Sequence, residues 1–120
     1  MNERDETRLR DMLDAARTAV SFVAGRTWES LDSDLMFAYA AVRAIEIVGE
    51  AAARVTQPTR DQLSSIPWHN IIGMRNRVIH NYLNVDNDIV WEVLTQNLPS
   101  LIAELERILN EGMPGDTGLS

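Results

Sequence analysis

The chain has 120 residues, no cysteine and a formal net charge of −7. This length fits one domain with a single modest core. The absence of cysteine excludes disulfide bonds, a thiol nucleophile and cysteine metal ligands. All 11 basic residues are arginine, which also excludes a catalytic lysine. The acidic balance argues against a broad phosphate-binding face, because affinity for nucleic acids depends largely on neutralising phosphates.

No apolar run approaches the length of a membrane span. Residues 1–6 are mostly charged and do not resemble a signal peptide, and no internal repeat is visible. We therefore expect a cytoplasmic protein that has no membrane partner.

Helical periodicity dominates the sequence, and no alternating strand pattern competes with it. The predicted helical segments are residues 6–24, 32–55, 67–83 and 86–109, with a short helical turn at residues 59–65. Asp32 or Ser33 can cap the second segment, and Asp86 or Asn87 can cap the last. Pro99 is expected to disturb the last helix with a bend, because proline removes a backbone hydrogen bond.

These segments predict an all-α, up-and-down bundle of four main helices plus the short turn. The domain is expected to span residues 1–112, followed by a flexible tail at residues 113–120. The second helix is expected to bury Leu35, Ala38, Val42, Ile45, Gly49 and Ala52, and its small residues would let a neighbouring helix approach closely. The last helix is expected to bury Val90, Val93, Leu94, Leu101, Leu105 and Ile108.

The segment that follows Pro67 carries an unusual set of polar side chains. An apolar stripe at helical spacing comprises Trp68, Ile71, Ile72, Val78, Ile79 and Tyr82. Arg75 falls in the middle of that stripe, where a guanidinium is costly unless it is paired or solvated. Asn76 and His80 lie beside it. A lone arginine or histidine is usually structural, but helix formation does not require this combination, which indicates a site.

The spacing of these residues is specific. Arg75 is followed by four residues, His80, one residue and Tyr82. This pattern resembles the motif of HepT-like (DUF86) proteins, which belong to the HEPN superfamily of small helical ribonucleases and nucleotide-binding domains. Residues 43–51 resemble the second-helix signature of the same family, and tryptophans flank the motif on both sides. The resemblance covers nearly the whole chain and implies a HEPN-like fold.

Chemistry without a metal ion is expected at this site. His69 and His80 lie about 16 Å apart along a helix, too far to bind one metal, and the segment lacks convergent carboxylates. RNA carries its own nucleophile, the 2′-hydroxyl, and the resemblance implies RNA cleavage. We assign His80 as general acid or base, Arg75 as phosphate clamp and Asn76 as the orienting group. Arg77 is a weaker candidate for backbone contact, and no cofactor is expected.

Three charged residues of the second helix are candidate supporting residues. Arg43, Glu46 and Glu50 lie near one another on a face separate from the apolar seam. They can form helix-surface ion pairs of little energetic weight. Alternatively, Glu46 or Glu50 orients Arg75 or contacts a partner subunit. The sequence leaves both interpretations open.

Helix geometry bears on how the site is assembled. Arg75 and His80 differ by about 140° around an ideal helix, so their side chains converge poorly unless the helix end unwinds. A two-fold dimer that brings two copies of this helix together would solve the problem. HEPN ribonucleases are similar in having a composite cleft at a dimer interface. We therefore predict a homodimer.

Tyr82 has two possible roles. It can be an ordinary core aromatic. In HepT-like proteins, however, the matching tyrosine is AMPylated by a partner nucleotidyltransferase of the MNT type, which blocks the toxin. The resemblance thus implies the ribonuclease toxin of a type VII-like toxin–antitoxin pair, with O-AMP-tyrosine at Tyr82. The alternative is a non-catalytic module that binds a nucleotide or docks a nucleotidyltransferase, which the acidic charge favours.

Overall fold

The computed structural model describes residues 1–81 and 84–111, except for the side chains of residues 80, 81 and 111. In chain order the elements are α1 (Glu3–Ser21), α2 (Ser30–Ser33), α3 (Leu35–Ala53), α4 (Gln57–Gln62), α5 (Trp68–Ile72), α6 (Met74–Val78), β1 (Ile79–Asn81), β2 (Asn84–Val85), α7 (Asn87–Glu92), a π-helical segment (Val93–Asn97) and α8 (Leu98–Glu111). The predicted all-α fold is confirmed. The predicted tail at residues 113–120 lies outside the described residues.

The core forms where α1 packs along α3, and α8 and the α5–α6 segment close it. Its largest fully buried side chains include Leu9, Met12, Ile45, Leu63, Leu94 and Leu105. Every residue predicted for the last apolar seam is buried. Within the described residues, no helix combines the length and the apolar character that crossing a membrane would require.

Helix boundaries follow local capping, and some differ from the predicted ones. Asn2 Oδ1 accepts a hydrogen bond from the Asp5 backbone N–H at 2.7 Å, so α1 begins earlier than expected. Asp34 caps α3 by accepting from the Phe37 N–H at 3.1 Å, whereas the predicted caps Asp32 and Ser33 lie in the separate helix α2. Asp86 caps α7 as predicted, because its carboxylate accepts from the Ile89 N–H at 3.2 Å.

The expected disturbance by Pro99 takes the form of a π-helical turn. Pro99 is the second residue of α8, and Val93–Asn97 directly precede that helix. The Leu98 N–H donates to the Val93 carbonyl, five residues back, instead of the usual four. Since Pro99 has no N–H, the regular helical ladder cannot run through this point.

The second-helix seam was predicted on the wrong face over the first turns of α3. Leu35 is 62% exposed, and Ala38 and Val42 are only half-buried. Phe37, Ala41 and Ala44 face the core instead. The N-terminal half of α3 is apolar on nearly every side, so periodicity alone cannot select the buried face.

A buried carboxylate joins the start of α1 to the segment after α3. Asp5 is 1% exposed. It accepts hydrogen bonds from the Thr56 N–H at 3.0 Å, the Thr56 hydroxyl at 2.6 Å and the Thr59 hydroxyl at 2.5 Å. Burial by itself raises the pKa of Asp5, but these hydrogen bonds outweigh burial and hold the pKa below its ordinary value.

We expect Asp5→Ala to lower the free energy of unfolding by about 1–3 kcal/mol, because it leaves the buried Thr59 hydroxyl and the two Thr56 donors without this acceptor. Urea unfolding at pH 7 measures the loss. Asp11→Ala is the matched control, since the Asp11 carboxylate is 46% exposed and pairs with Arg8 at 3.6 Å. The control should change stability by less than about 0.5 kcal/mol. Equal losses in the two variants would contradict the role of Asp5.

The lowered pKa of Asp5 fixes the sign of the pH dependence. Its stabilisation is fully present above the unfolded-state pKa of about 3.9 and is lost as the pH falls through the folded-state pKa. The difference in stability between wild type and Asp5→Ala should therefore shrink below about pH 4.

Candidate functional site

The predicted continuous site helix is wrong, because the segment after Pro67 divides into α5, α6 and a short strand. Gly73 separates the two helices, and its N–H donates to the His69 carbonyl at 3.0 Å. Helix α6 ends at Val78, and Ile79 is extended, with φ −114° and ψ 108°. Glycine and β-branched residues both have low helix propensity, which explains breaks at these points.

Pairing with the following segment stabilises the end of α6. The Val78 carbonyl accepts a hydrogen bond from the Asp86 N–H at 2.7 Å. In a continuing helix, this carbonyl would instead accept from the N–H four residues further along the chain. Ile79 pairs with Val85 in a small antiparallel ladder. No strand was predicted here. Asp86 was predicted only as a helix cap, and its backbone contact with Val78 was not predicted, although the β-branched pair Val78-Ile79 favours an extended backbone.

This break changes the geometry on which the site prediction was based. The backbone of His80 lies in β1, not in a helix, so the ideal-helix angle between Arg75 and His80 does not apply. The end of the site helix is therefore unwound, which is the alternative to dimerisation that the sequence left open. The side chain of His80, and Tyr82 as a whole, lie outside the described residues.

Much of the described part of the apolar stripe is covered within one chain. Ile71, Met74 and Val78 are buried in the core, and Ile72 and Ile79 are half-buried. Arg75 does not lie among them, because its side chain is 52% exposed. Among the described residues, the core of the chain itself therefore covers part of the stripe, and the predicted dimer stays a prediction.

Helix α3 approaches the backbone of α5 very closely at Gly49. A Cβ atom added to Gly49 would lie 3.3 Å from the Ile71 carbonyl oxygen and 3.5 Å from that of Ile72. A side chain here would press on the Ile71 carbonyl, so glycine favours the close approach that the small residues of this helix predicted. The contact fixes α5, and through it α6, against α3.

Arg75 is held by Glu46. Its Nε donates to Glu46 Oε2 at 3.0 Å, and its Nη1 lies 3.5 Å from Asn76 Oδ1, at the limit of hydrogen bonding. The Glu46 side chain is only 22% exposed, so the carboxylate lies beneath a guanidinium that still faces solvent. Arg75 is thus both paired and solvated, which removes the cost of a guanidinium in this segment.

The other charged candidates are placed differently. Glu50 pairs with Arg43 at 3.5 Å, with both side chains well exposed. Of the two predicted acidic partners, it is thus Glu46 that contacts Arg75. Arg77 is exposed and makes no ion pair with any residue that the structure describes. Together, Glu46, Arg75 and Asn76 form one cluster at the surface, with Arg77 on the same short helix.

Comparison with known proteins identifies the family. The model of the family described as ribonuclease HepT-like matches residues 12–108. The chain belongs to the HepT-like family. The match includes α3, the α5–α6 segment, β1 and most of α8, so it covers every residue of the cluster.

The names of similar proteins agree with this family. "Putative RNase MJ1380" of Methanocaldococcus jannaschii is 30% identical over 107 residues, 88% of this chain and 98% of the relative. "Putative RNase TTE0752" of Caldanaerobacter subterraneus subsp. tengcongensis is 32% identical, covering 86% of this chain and 92% of the relative. "Probable ribonuclease HepT" of Thermococcus cleftensis is 29% identical, covering 83% and 91%. No solved structure matched the chain.

We expect Gly49→Ala to destabilise the HepT-like fold by about 1–3 kcal/mol, because the Ile71 carbonyl would have to move away from the new methyl group. Urea unfolding measures the change. Helix propensity alone would make the alanine variant more stable by about 1 kcal/mol, whereas the steric contact would make it less stable. The sign of the measured change in stability therefore distinguishes the two effects. A variant more stable than wild type would contradict the close approach of α3 to α5.

Proposed function

We propose that this HepT-like protein is a metal-independent endoribonuclease, the toxin of a type VII-like toxin–antitoxin pair that works as a homodimer. The observation that carries the proposal is the half-exposed Arg75 guanidinium, which Glu46 holds. Arg75 lies four residues before Ile79, where the chain leaves the helix and enters β1, the strand whose backbone includes His80. The names of the relatives, which describe ribonucleases, support the same activity.

In the proposed reaction, the RNA 2′-hydroxyl attacks the adjacent phosphorus. A new P–O2′ bond forms, the P–O5′ bond breaks, and a 2′,3′-cyclic phosphate remains on one product. His80 takes the 2′-hydroxyl proton or donates a proton to the leaving O5′. Arg75 stabilises the charge that develops on the phosphoryl oxygens, and Asn76 orients His80 or the phosphate.

Glu46 acts through Arg75 in this proposal. With Nε bound to the carboxylate, the planar guanidinium has a restricted orientation while its remaining N–H groups stay available for phosphate. A preoriented donor stabilises a developing charge better than one that must reorganise during the reaction. Glu46 is therefore a positioning residue, and Arg77 adds a positive charge near the RNA backbone.

Control by a nucleotidyltransferase of the MNT type completes the proposal. AMPylation of Tyr82 would place a negative phosphodiester and an adenosine two residues from His80. Both the bulk and the charge would oppose RNA binding there. Family membership supports this step, and the proposal requires that solvent can reach the Tyr82 hydroxyl.

A second candidate function is a non-catalytic module that binds a nucleotide or docks a nucleotidyltransferase. The observation that favours it is the net charge of −7, combined with arginines that pair mostly with carboxylates of their own chain. These pairs include Arg8–Asp11, Arg10–Glu6, Arg17–Glu106, Arg26–Asp34 and Arg43–Glu50. Few guanidinium groups remain for RNA phosphates, so substrate affinity should be low and salt-dependent.

RNA cleavage in excess EDTA tests the enzyme directly. We expect wild type to cleave RNA under these conditions and His80→Ala to lose at least about 100-fold in rate, since general acid–base catalysis contributes this much. Cleavage by both proteins would indicate a contaminant. No cleavage by wild type, from protein whose mass shows Tyr82 unmodified, would contradict the ribonuclease and favour the binding module.

Variants of the Arg75–Glu46 pair test the roles of its two members. Arg75→Ala should lower kcat about 100-fold or more, because it removes the charge that stabilises the transition state. Glu46→Ala should lower kcat by about tenfold with a smaller change in KM, and Glu46→Gln should restore part of the rate by keeping an acceptor for Nε.

The matched control for this pair is Glu106→Gln. Glu106 pairs with Arg17 across α8 and α1, so it too is a surface carboxylate that joins two elements through an arginine. Its substitution should leave kcat within about twofold. Equal effects of Glu46→Gln and Glu106→Gln would contradict the positioning role of Glu46.

A further inference from the structure

A groove lies at the surface where α2, α3, β2 and α7 meet. It has a volume of about 280 Å³ and is lined mainly by aliphatic side chains, among them Leu31, Val42 and Val85. Among the described residues, none of those that line it is charged. A neutral, apolar groove is a poor site for a phosphate, but it suits a flat uncharged ring. We call it the α3–α7 groove.

An exposed aromatic ring borders the α3–α7 groove. Tyr39 is one of its lining residues and is 71% exposed. Leu35, which also lines the groove, is 62% exposed. Contiguous exposed apolar surface marks sites of interaction. An exposed aromatic ring is the surface on which proteins stack the bases of single-stranded nucleic acids.

Asn87 adds a directional polar group to this apolar lining. Its side chain is half-buried, and its Nδ2 donates to Asp32 Oδ1 at 2.8 Å. An ionised carboxylate can only accept hydrogen bonds, so this contact fixes which end of the amide faces Asp32. The Asn87 Oδ1 accepts no hydrogen bond from any residue that the structure describes. The groove therefore offers an oriented acceptor to a ligand.

The α3–α7 groove adjoins both parts of the candidate site. Val42 in its lining precedes Glu46 by four residues, about 6 Å along α3. Val85, also in its lining, pairs with Ile79, the residue directly before His80. RNA held at the candidate site can therefore place a neighbouring base in the groove.

We propose that the α3–α7 groove is a subsite for one nucleobase of the RNA, in which Tyr39 stacks on the base and Asn87 accepts a hydrogen bond from its exocyclic amino group. The identity of the ligand rests on the proposed function. A cavity of about 150 Å³ holds a benzene ring, so the larger groove has room for a base. Cytosine and adenine carry such an amino group, whereas uracil presents a carbonyl oxygen instead.

A base subsite also accounts for RNA binding by an acidic chain. With a net charge of −7, the protein gains little affinity from contacts with phosphates. Stacking on an aromatic ring contributes affinity without neutralising a phosphate. The bound RNA is then selected by a base rather than by its charge.

Binding of short single-stranded DNA tests the subsite without cleavage, because deoxyribose lacks the 2′-hydroxyl nucleophile. By fluorescence anisotropy, wild type should bind oligodeoxycytidine about threefold or more tighter than oligodeoxyuridine, since only cytosine donates to Asn87. Tyr39→Ala should weaken binding of both strands about tenfold. Tyr39→Phe is the matched control and should keep the affinity, because it retains the ring. Circular dichroism checks that each variant folds.

Salt dependence separates stacking from phosphate contact. Tyr39→Ala should leave the slope of log affinity against log salt concentration unchanged, because it removes no charge. Arg75→Ala should reduce the magnitude of that slope by about 0.7, the value for one phosphate contact with a single strand. A reduced slope in Tyr39→Ala would contradict stacking.

The preference for cytosine tests the role of Asn87. Asn87→Ala should abolish the difference between the two strands while most of the affinity remains, because the Tyr39 ring is unchanged. Asp32→Ala should reduce the difference, since the amide is then free to turn its Nδ2 toward the base. An undiminished preference in Asn87→Ala would overturn the proposed contact.

Other occupants of the groove give different results. Equal affinity of wild type and Tyr39→Ala for both strands would overturn the subsite. Cytidine monophosphate that binds as tightly as the strand would assign the groove to a free nucleotide, and a changed oligomeric state of Tyr39→Ala in sedimentation would assign it to a second copy. Both would overturn the proposal.

The subsite and the ribonuclease can fail separately. Cytosine-selective binding that depends on Tyr39, from protein that cleaves no RNA, would retain the subsite and contradict the enzyme. RNA cleavage with the same KM and the same base preference in wild type, Tyr39→Ala and Asn87→Ala would retain the enzyme and contradict the subsite.

Discussion

The contact between Gly49 of α3 and the backbone of α5 determines where the candidate site lies. With no Cβ at this position, α3 reaches within van der Waals distance of two carbonyls. That approach brings Glu46, one turn earlier on α3, to the guanidinium of Arg75 on α6. A side chain at position 49 would press on the Ile71 carbonyl, so the packing of α5 against α3 and the position of Arg75 on the following helix are linked.

The end of α6 is the second determinant of the site. Because the Val78 carbonyl bonds to the Asp86 N–H, the chain leaves the helix one residue before His80. In a continuous helix, Arg75 and His80 would point in directions about 140° apart. Because the helix stops within the motif, the ideal-helix angle does not apply to these two residues. The β1–β2 pair and the start of α7 maintain that stop.

The acidity of the chain and its arginine-based site are compatible because most guanidinium groups are neutralised within the chain. Arg75 is also paired, yet its partner lies beneath it and leaves the group half-exposed. Leu35, Met36 and Tyr39 expose apolar side chains on the same helix as Glu46. Helix α3 therefore contributes core residues on one side and, on its solvent-facing side, both the carboxylate that holds Arg75 and exposed apolar side chains.

The sequence by itself determined the family, the all-α class, the buried seam of the last helix and the Arg75–Asn76 pair, because periodicity and motif spacing are local properties. Only the tertiary structure decided which face of α3 is buried, since that helix is apolar on both sides. The tertiary structure also selected Glu46 over Glu50 as the partner of Arg75, and it ended the site helix at Val78. The choice of Glu46 and the end of the helix depend on contacts between residues that are not neighbours in the sequence. Local sequence patterns do not predict such contacts.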